Sequence, residues 1–495
     1  ESWGNRVLAG ANGDYFVMAS GVPLGMVVTD GVLRSSAAYH YAVGFLPDGS
    51  AFVGKPELNI TADFHGHQLA VSGGYNKTRE PQGGYTLFGS DFGATTKGSG
   101  TGVNVILRPV VVPEDYTPPV KPDPFLEPEP ERPVASVDEP EGVEPVEDEG
   151  AEETALPEES ETAGDAPAEG EPSAWDLWKQ AKDSWEQAMA QWEWDLAWSV
   201  SGFETLPAQL SIGGELTCVV EDVSEYSGPI AIPEGRLVLS IDKRGSGFLV
   251  DELGSLALGE QVKLSVSAPD SRWSKCVSAL GAYEWIVRDG QVPTGLENTA
   301  APRTALGVKA NGDVILYTMD GRRSGHSVGA TVNQVAKRLL ELGCDQAVLF
   351  DGGGSTTFGA TGALDSSFSL QNRPSEGSQR SVTNALFFVS PLKATGKLGS
   401  LYIQPHSALM LSGASLPLSC RGIDTGYWPM GEEPIGNVTY SVTGPGSMAG
   451  NVFVAGKEKG TATVTATAPG GAEGTVTLNV VDTPHTITLS DAVTD

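Results

Sequence analysis

The chain has 495 residues, 40% of them apolar, and a formal net charge of −32, enough for two to four domains with sizeable cores. The charge is uneven: residues 121–172 hold 19 Asp/Glu against two Lys/Arg, a net of −17. This balance argues against a nucleic-acid-binding surface, which needs a basic patch, and no apolar run approaches the ~18 residues of a membrane-spanning helix. Four cysteines, Cys218, Cys276, Cys344 and Cys420, are too few for a disulfide framework and form no CxxC pair. Cys218 and Cys276 are a candidate pair in an exported protein, two buried thiols being at least an equal alternative. The first residue is Glu rather than Met, which fits a processed chain whose export signal has been removed.

Residues 1–112 read as many short strands. "YFVMAS", "GMVVTDGVLRSS", "YAVGFLPDGSAFVG" and "VNVILRPVVV" alternate β-branched or aromatic residues with Gly turns, and Asp30-Gly31 and Asp48-Gly49 are hairpin signals. Residues 113–172 are rich in Pro, Glu and Ala and cannot bury enough apolar surface to fold, so a disordered, extended insertion is expected. In 173–200, Trp178, Trp185 and Trp192 recur every seven residues, with Trp175, Met189 and Leu196 on the adjoining row. That spacing predicts an amphipathic helix with Ser173 as N-cap and Asp176 in its first turn. The stripe is expected to dock on its own domain or on a second copy; a cell-wall or membrane-surface contact is the sharper alternative, against which stands the scarcity of lysines on the polar face.

Residues 203–395 return to strands with helices mixed in. "TVNQVAKRLLELG" places Val332, Val335, Ala336, Leu339 and Leu340 at helical spacing with Gly343 as C-cap. "CDQAVLFDGGGSTT" then runs from a buried strand into an acid and three glycines. Such a turn either serves a backbone that needs positive φ or offers its N–H groups to an anion. Residues 398–482 alternate strands with Gly-rich turns and predict a separate sandwich.

GxxxxGK[ST], GxGxxG and HExxH are all absent. "DFHGH" supplies too few groups for a metal site, and His326 is a minor candidate. What recurs is acids, amides and arginines at strand ends: Asn12 and Asp14; Asn76 and Arg79; Arg303 and Thr304; Asp320, Arg322 and Ser327; Asp351 and Ser355; Asn372, Arg373, Arg380 and Asn384. Each cluster alone is also what a turn or a surface ion pair uses. Together they suit a sugar joined to a phosphate, because arginines fork onto phosphate and carboxylates run glycosidic chemistry.

"NGDYF…P.G.VV.DG", "N..R", "APRTALGV…DG", "DGRR…S.G.T…A..L..LG", "DGGGSTT" and "NRPSEGSQRSVTNAL", in this order, resemble the phosphodiester glycosidase family, that of the N-acetylglucosamine-1-phosphodiester α-N-acetylglucosaminidases. The resemblance covers 1–112 and 203–390. It implies an α+β domain, with a mixed β-sheet and packed helices, that removes a sugar from a sugar-1-phosphodiester. Asp14, Arg303, Asp320, Asp351, Gly353, Ser355, Arg380 and Asn384 match the family's recurring polar positions. Asp14, Asp351 and, third, Asp320 are the expected catalytic carboxylates. Asn12, Arg79, Arg303, Thr304, Arg322, Gly352, Gly353, Gly354, Ser355, Arg380 and Asn384 are expected to hold substrate. The chain departs from the family at Gln334, where a carboxylate is usual, and at Leu349, where Asn is usual. The match starts inside the family domain, so a strand or more is expected upstream. Residues 398–482 resemble bacterial immunoglobulin-like domains, which implies a secreted or cell-surface location.

The expected partner is a phosphorylated glycan or sugar-1-phosphodiester; no cofactor is assigned, and a divalent cation near the phosphate would be chemically sensible without an assignable ligand set. Asp351 has a rival role, capping the glycine turn. The competing functional class is a non-catalytic glycan- or wall-binding surface protein, and a polysaccharide-processing transferase is a third.

Overall fold

The computed structural model describes residues 5–37, 41–79, 82–97, 100–132, 172–365, 367–431 and 435–482. It is β-rich, with 41% strand and 13% helix. The helix share lies mainly in three α-helices: α1 (Ala174–Val200), α2 (Gly247–Gly254) and α3 (Val332–Glu341). The expected mixed sheet is instead antiparallel throughout the first 395 residues, apart from a short parallel ladder between Gly74–Tyr75 and Thr86–Phe88.

An eight-stranded sheet forms the base. Its central pair is Thr101–Pro109 against Glu215–Ser227, in register from Thr101↔Ser227 to Pro109↔Cys218 with one bulge. These strands come from either side of the insertion, so the interrupted domain closes into one sheet and the insertion leaves from the end of this pair. A five-stranded sheet, with Ser278–Ala282 between Val27–Thr29 and Tyr41–Phe45, packs its apolar side on this base. Leu33, Leu107, Leu237, Leu239 and Trp273 are fully buried there, each such side chain contributing about 1.5–3 kcal/mol by burial. Asp30-Gly31 turns the first of these hairpins with φ of 52° and 75°, the positive pair that matches strand twist.

Two four-stranded sheets complete this part. One orders Glu284–Val287, Cys344–Leu349, Arg303–Lys309 and Val314–Met319; the other orders Ser369–Leu370, Phe358–Ala360, Arg6–Asn12 and Ala385–Ser390. Helix α3 covers the first, burying Val332, Val335, Ala336 and Leu339, while Leu340 sits at the rim, 36% exposed. Thr331 caps it through a capping box with Gln334. The cap residue is Leu342, and Gly343 follows with φ of 89°. The amide at 334 therefore does what a carboxylate would do in the same box, and Leu349, 2% exposed, is core. Neither departure from the family pattern reaches the polar cluster described below.

Residues 113–132, expected to be disordered, instead lie along α1; residues 133–171 of that expected segment fall outside the described residues. The indole N–H groups of Trp178, Trp185 and Trp192 donate to the carbonyls of Glu127 (3.0 Å), Asp123 (2.8 Å) and Pro119 (3.1 Å). Phe125 packs between Trp178, which it meets edge-on, and Trp185, to which it is tilted, and Lys121 lies over Trp192. Seven helical residues advance about 10 Å, close to the ~12 Å of four residues of polyproline chain, so the two repeats keep step. The tryptophan stripe is thus covered by the chain's own strap.

Strands from Leu398 to Val481 build a separate β-unit around Leu401, Ile403, Leu418, Phe453, Val464 and Leu478. Trp428 ties it to the first part by donating to the Leu392 carbonyl (2.8 Å).

Candidate active site

Four chain segments meet where the two four-stranded sheets abut the five-stranded one. The Asp351 amide donates to the Gly13 carbonyl (3.0 Å), the Gly13 amide to the Asn384 carbonyl (3.0 Å), and the Phe350 amide to the Thr304 carbonyl (2.9 Å). Asn12 is the knot between them. Its Nδ2 donates to the Asp351 carbonyl (2.7 Å), and its Oδ1 accepts from Thr304 Oγ1 (2.8 Å) and the Thr357 amide (3.1 Å). Asn12 and Thr304, at 3% and 0% exposure, therefore position the strand ends rather than present free polar atoms to a ligand.

Asp14 leaves this knot with its amide donating to Asn384 Oδ1 (2.7 Å). Its carboxyl is 2% exposed, and among the described residues neither oxygen has a partner in ordinary hydrogen-bond geometry. Room for it exists because Gly25 and Gly281 face it. A Cβ at either position would fall well inside contact distance of Asp14 Oδ2, which is why strand-borne glycines occur here. Burial pushes the Asp14 carboxyl up to about 7, against the pull of the Tyr15 amide and the Lys77 ammonium, with Asp351 adding to the rise. Lys77 was not foreseen. Its ammonium is buried and donates to the carbonyls of Pro23 (2.6 Å), Leu24 (3.1 Å) and Gly25 (3.0 Å), pinning the wall beside Asp14. Burial pulls it down to about 7, with Asp14 opposing.

Asp351 ends the strand Cys344–Leu349 and is partly exposed. Burial raises its carboxyl, opposed by the Ser355 hydroxyl, Arg380 and the Gly352 amide. Gly353–Ser355 is a single 3-10 turn, and the Gly353 amide is spent on the Pro302 carbonyl (3.0 Å). The open nest of three amides expected from the sequence is thus partly closed, and Gly352 takes the cap position with no side-chain cap. Across it lies Arg380, paired with Glu376 through Nε and Nη2, 3.4 Å from Ser355 Oγ, and more exposed than Arg303. Gly354 has no side chain because that ion pair occupies the space a Cβ would need. Arg322 approaches the same turn beside Gly353.

Other expected residues lie apart or are already engaged. Arg303 spends its guanidinium on Glu297 (3.0 Å), the Thr299 carbonyl (2.7 Å) and the Ala330 carbonyl (3.2 Å). Asp320 accepts from His326 Nε2 (2.8 Å), Asn372 Nδ2 (3.0 Å) and the Arg373 amide (3.0 Å). Burial raises its carboxyl, yet these donors outweigh it and hold the group below its usual range. Arg79 belongs to the eight-stranded sheet: it donates to Ser240 (3.0 Å) and lies 4.2 Å over the Tyr226 ring. All four cysteines are free, so Cys218 and Cys276 do not pair. Among the described residues no cluster of His, Cys, Asp and Glu could hold a metal ion, and no helix is long and apolar enough to cross a membrane.

The convergent group is therefore Asp14, Asp351, Ser355, Arg380 and Asn384, with Lys77 and Tyr15 beside them. Two carboxyls raised by burial next to an arginine suit proton transfer and charge neutralisation at a glycosyl phosphate.

The phosphodiester glycosidase family model matches residues 219–389, so Asn12, Asp14 and Arg79 lie outside the match. The SPbeta prophage-derived uncharacterized protein YomE of Bacillus subtilis is 33% identical over 113 residues, 22% of this chain and 16% of that protein. A hypothetical protein of Synechocystis superposes with TM-score 0.45 at 15% identity, covering 78% of this chain and 51% of that one. The catalytic domain of zebrafish N-acetylglucosamine-1-phosphodiester α-N-acetylglucosaminidase, auto-inhibited by its pro-peptide, gives 0.19 at 23% identity, covering 26% of this chain and 48% of that one. The chain thus spans about half or less of each of these relatives. Residues 219–389 are a phosphodiester glycosidase domain.

Proposed function

We propose that the protein hydrolyses the glycosidic C1–O bond of a sugar-1-phosphodiester of the N-acetylglucosamine type, acting outside the cytoplasm on cell-surface or extracellular glycans. The observation that carries this reading is the meeting of Asp14 and Asp351 beside Arg380 and the glycine turn, in a chain whose residues 219–389 match the family. Water attacks C1, the C1–O bond breaks, and the departing group is a phosphate monoester. That monoester has a second pKa near 6 and is a stable anion at about neutral pH, so the leaving group asks more for a cation than for a strong acid. Arg380, with Arg322 beside it, supplies that cation. Asp351, the more open carboxyl, acts on water or C1, and buried Asp14 sets its charge. Asp320 and Arg303, engaged by their own neighbours, hold loops in place.

The test is release of free sugar from N-acetylglucosamine-1-phosphodiesters and a panel of related sugar-1-phosphodiesters. Asp351→Asn and Arg380→Ala should each lower kcat about 10²- to 10⁴-fold with unchanged circular dichroism. A folded wild type that releases no sugar from any member of the panel overturns this reading in favour of a glycan-binding surface protein.

A further inference from the structure

A cleft of about 870 Å³ opens next to the polar cluster and takes no part in the chemistry just described. We propose that it is a saccharide-binding subsite, which on the phosphodiesterase reading receives the sugar chain of the substrate beyond the scissile linkage.

Its walls are Tyr41, Tyr283, Trp285 and Leu296 together with Glu284, Arg288, Asp289, Gln291 and Thr294. The volume lies in the range of about 300–1,000 Å³ typical of small-ligand sites. The cleft is joined to the candidate active site by backbone and by ring. The Tyr283 amide donates to the Leu349 carbonyl (3.0 Å), two residues before Asp351. The Tyr283 ring lies 5.1 Å from the Tyr15 ring, and Tyr15 directly follows Asp14. Tyr283 thus links the cleft wall to the segments that carry Asp14 and Asp351.

The aromatic wall is set in place before any ligand arrives. Trp285 donates its indole N–H to Gln346 Oε1 (2.9 Å), and Gln346 donates in turn to Asp289 Oδ1 (2.9 Å). Arg288 lies 4.2 Å over the Trp285 ring, and Tyr41 meets that ring edge-on at 5.7 Å. Asp289 and Gly290, with φ of 50° and 69°, close the loop as a tight two-residue turn. Tyr283 is 52% exposed at the junction.

The ligand class follows from the lining. Aromatic faces receive the apolar face of a sugar ring, while carboxylates and amides accept and donate to its hydroxyls. A phosphate or other polyanion fits poorly, because Glu284 and Asp289 line the cleft and Arg288 already stacks on Trp285. A purely apolar ligand would leave those polar groups unpaired.

The full chain is presented to an array of neutral and N-acetylated oligosaccharides, and the strongest member is titrated against wild type, Tyr283→Ala and Tyr283→Phe. The expected result is binding that Tyr283→Ala weakens at least tenfold and that Tyr283→Phe leaves within about twofold. An array without a single bound member overturns the proposal, as does binding that Tyr283→Ala leaves unchanged. Sugar binding that follows this pattern in a protein inactive on every sugar-1-phosphodiester refutes the hydrolytic reading and leaves the subsite standing.

Discussion

Replacing Asp14 by Asn should abolish the pH dependence of stability that this one buried carboxyl creates. In the fold its pKa is raised from 3.8 to about 7, chiefly by burial. Between those values the unfolded chain has lost the proton and the native state has kept it, so stability falls as pH rises. One pKa unit corresponds to about 1.4 kcal/mol, and a rise of about three units makes the full loss on the order of 4 kcal/mol. That is a large share of the roughly 5–15 kcal/mol that keeps a domain folded. The loss is absent below pH 4 and complete above pH 7. Asparagine cannot ionise, so the variant escapes the loss, but its buried amide finds no partner and costs about 1–3 kcal/mol. Asp14→Asn should therefore be the less stable protein at pH 4.5 and the more stable one at pH 8, with the curves crossing in between. Urea unfolding of both proteins at pH 4.5, 6 and 8 measures this, because the difference between them cancels the titrating groups that Asp14 does not touch, leaving its coupling to Lys77 and Asp351. Parallel curves across that range would refute the reasoning. They would mean that the Lys77 ammonium, held by three carbonyls, keeps Asp14 ionised throughout.

Gly281→Ala places a methyl group against Gly25 Cα, Asp14 Oδ2 and the Met26 amide; overpacking of this kind costs about 1–3 kcal/mol and should lower both Tm and any sugar-releasing activity, whereas an unchanged Tm would mean the walls are slack. Trp185→Ala removes the donor to Asp123 and one of the rings flanking Phe125. It should speed chymotrypsin cleavage after Phe125 and Leu126 several-fold while leaving the unfolding midpoint of the glycosidase domain within about 1 °C. Alkylation of the denatured protein without reductant should add four groups, since Cys218, Cys276, Cys344 and Cys420 are all free; two added groups would show a disulfide.

What the sequence makes legible depends on how local the cause is. The Asp30-Gly31 hairpin and the Ser173 cap with Asp176 are each decided within four residues, and both form as their spacing predicts. The strap of residues 113–132 is a different case. Its own composition gives no reason to order, and what orders it is a row of tryptophans some fifty residues later in the chain. The candidate site divides in the same way. Asp14, Asp351 and Asn384 stand beside glycines or strand ends and can be picked out by residue type, because a backbone that lets a ligand approach is written in the sequence as glycine. Lys77 cannot be found so, since its partners are three carbonyls with no side-chain signature. Nor can Arg303 be told from Arg380. Both follow or precede short polar runs and both pair with a glutamate, yet one guanidinium is buried and tied also to two backbone carbonyls while the other is more exposed and lies across the turn that follows Asp351. Residue type at a strand end states which chemistry is available; only the three-dimensional hydrogen-bond pattern states which of it the fold has already consumed. On the proposed reading, that pattern together with exposure favours Arg380 over Arg303 for the charge on a departing phosphate, and Asp351 over Asp320 for the attack at C1.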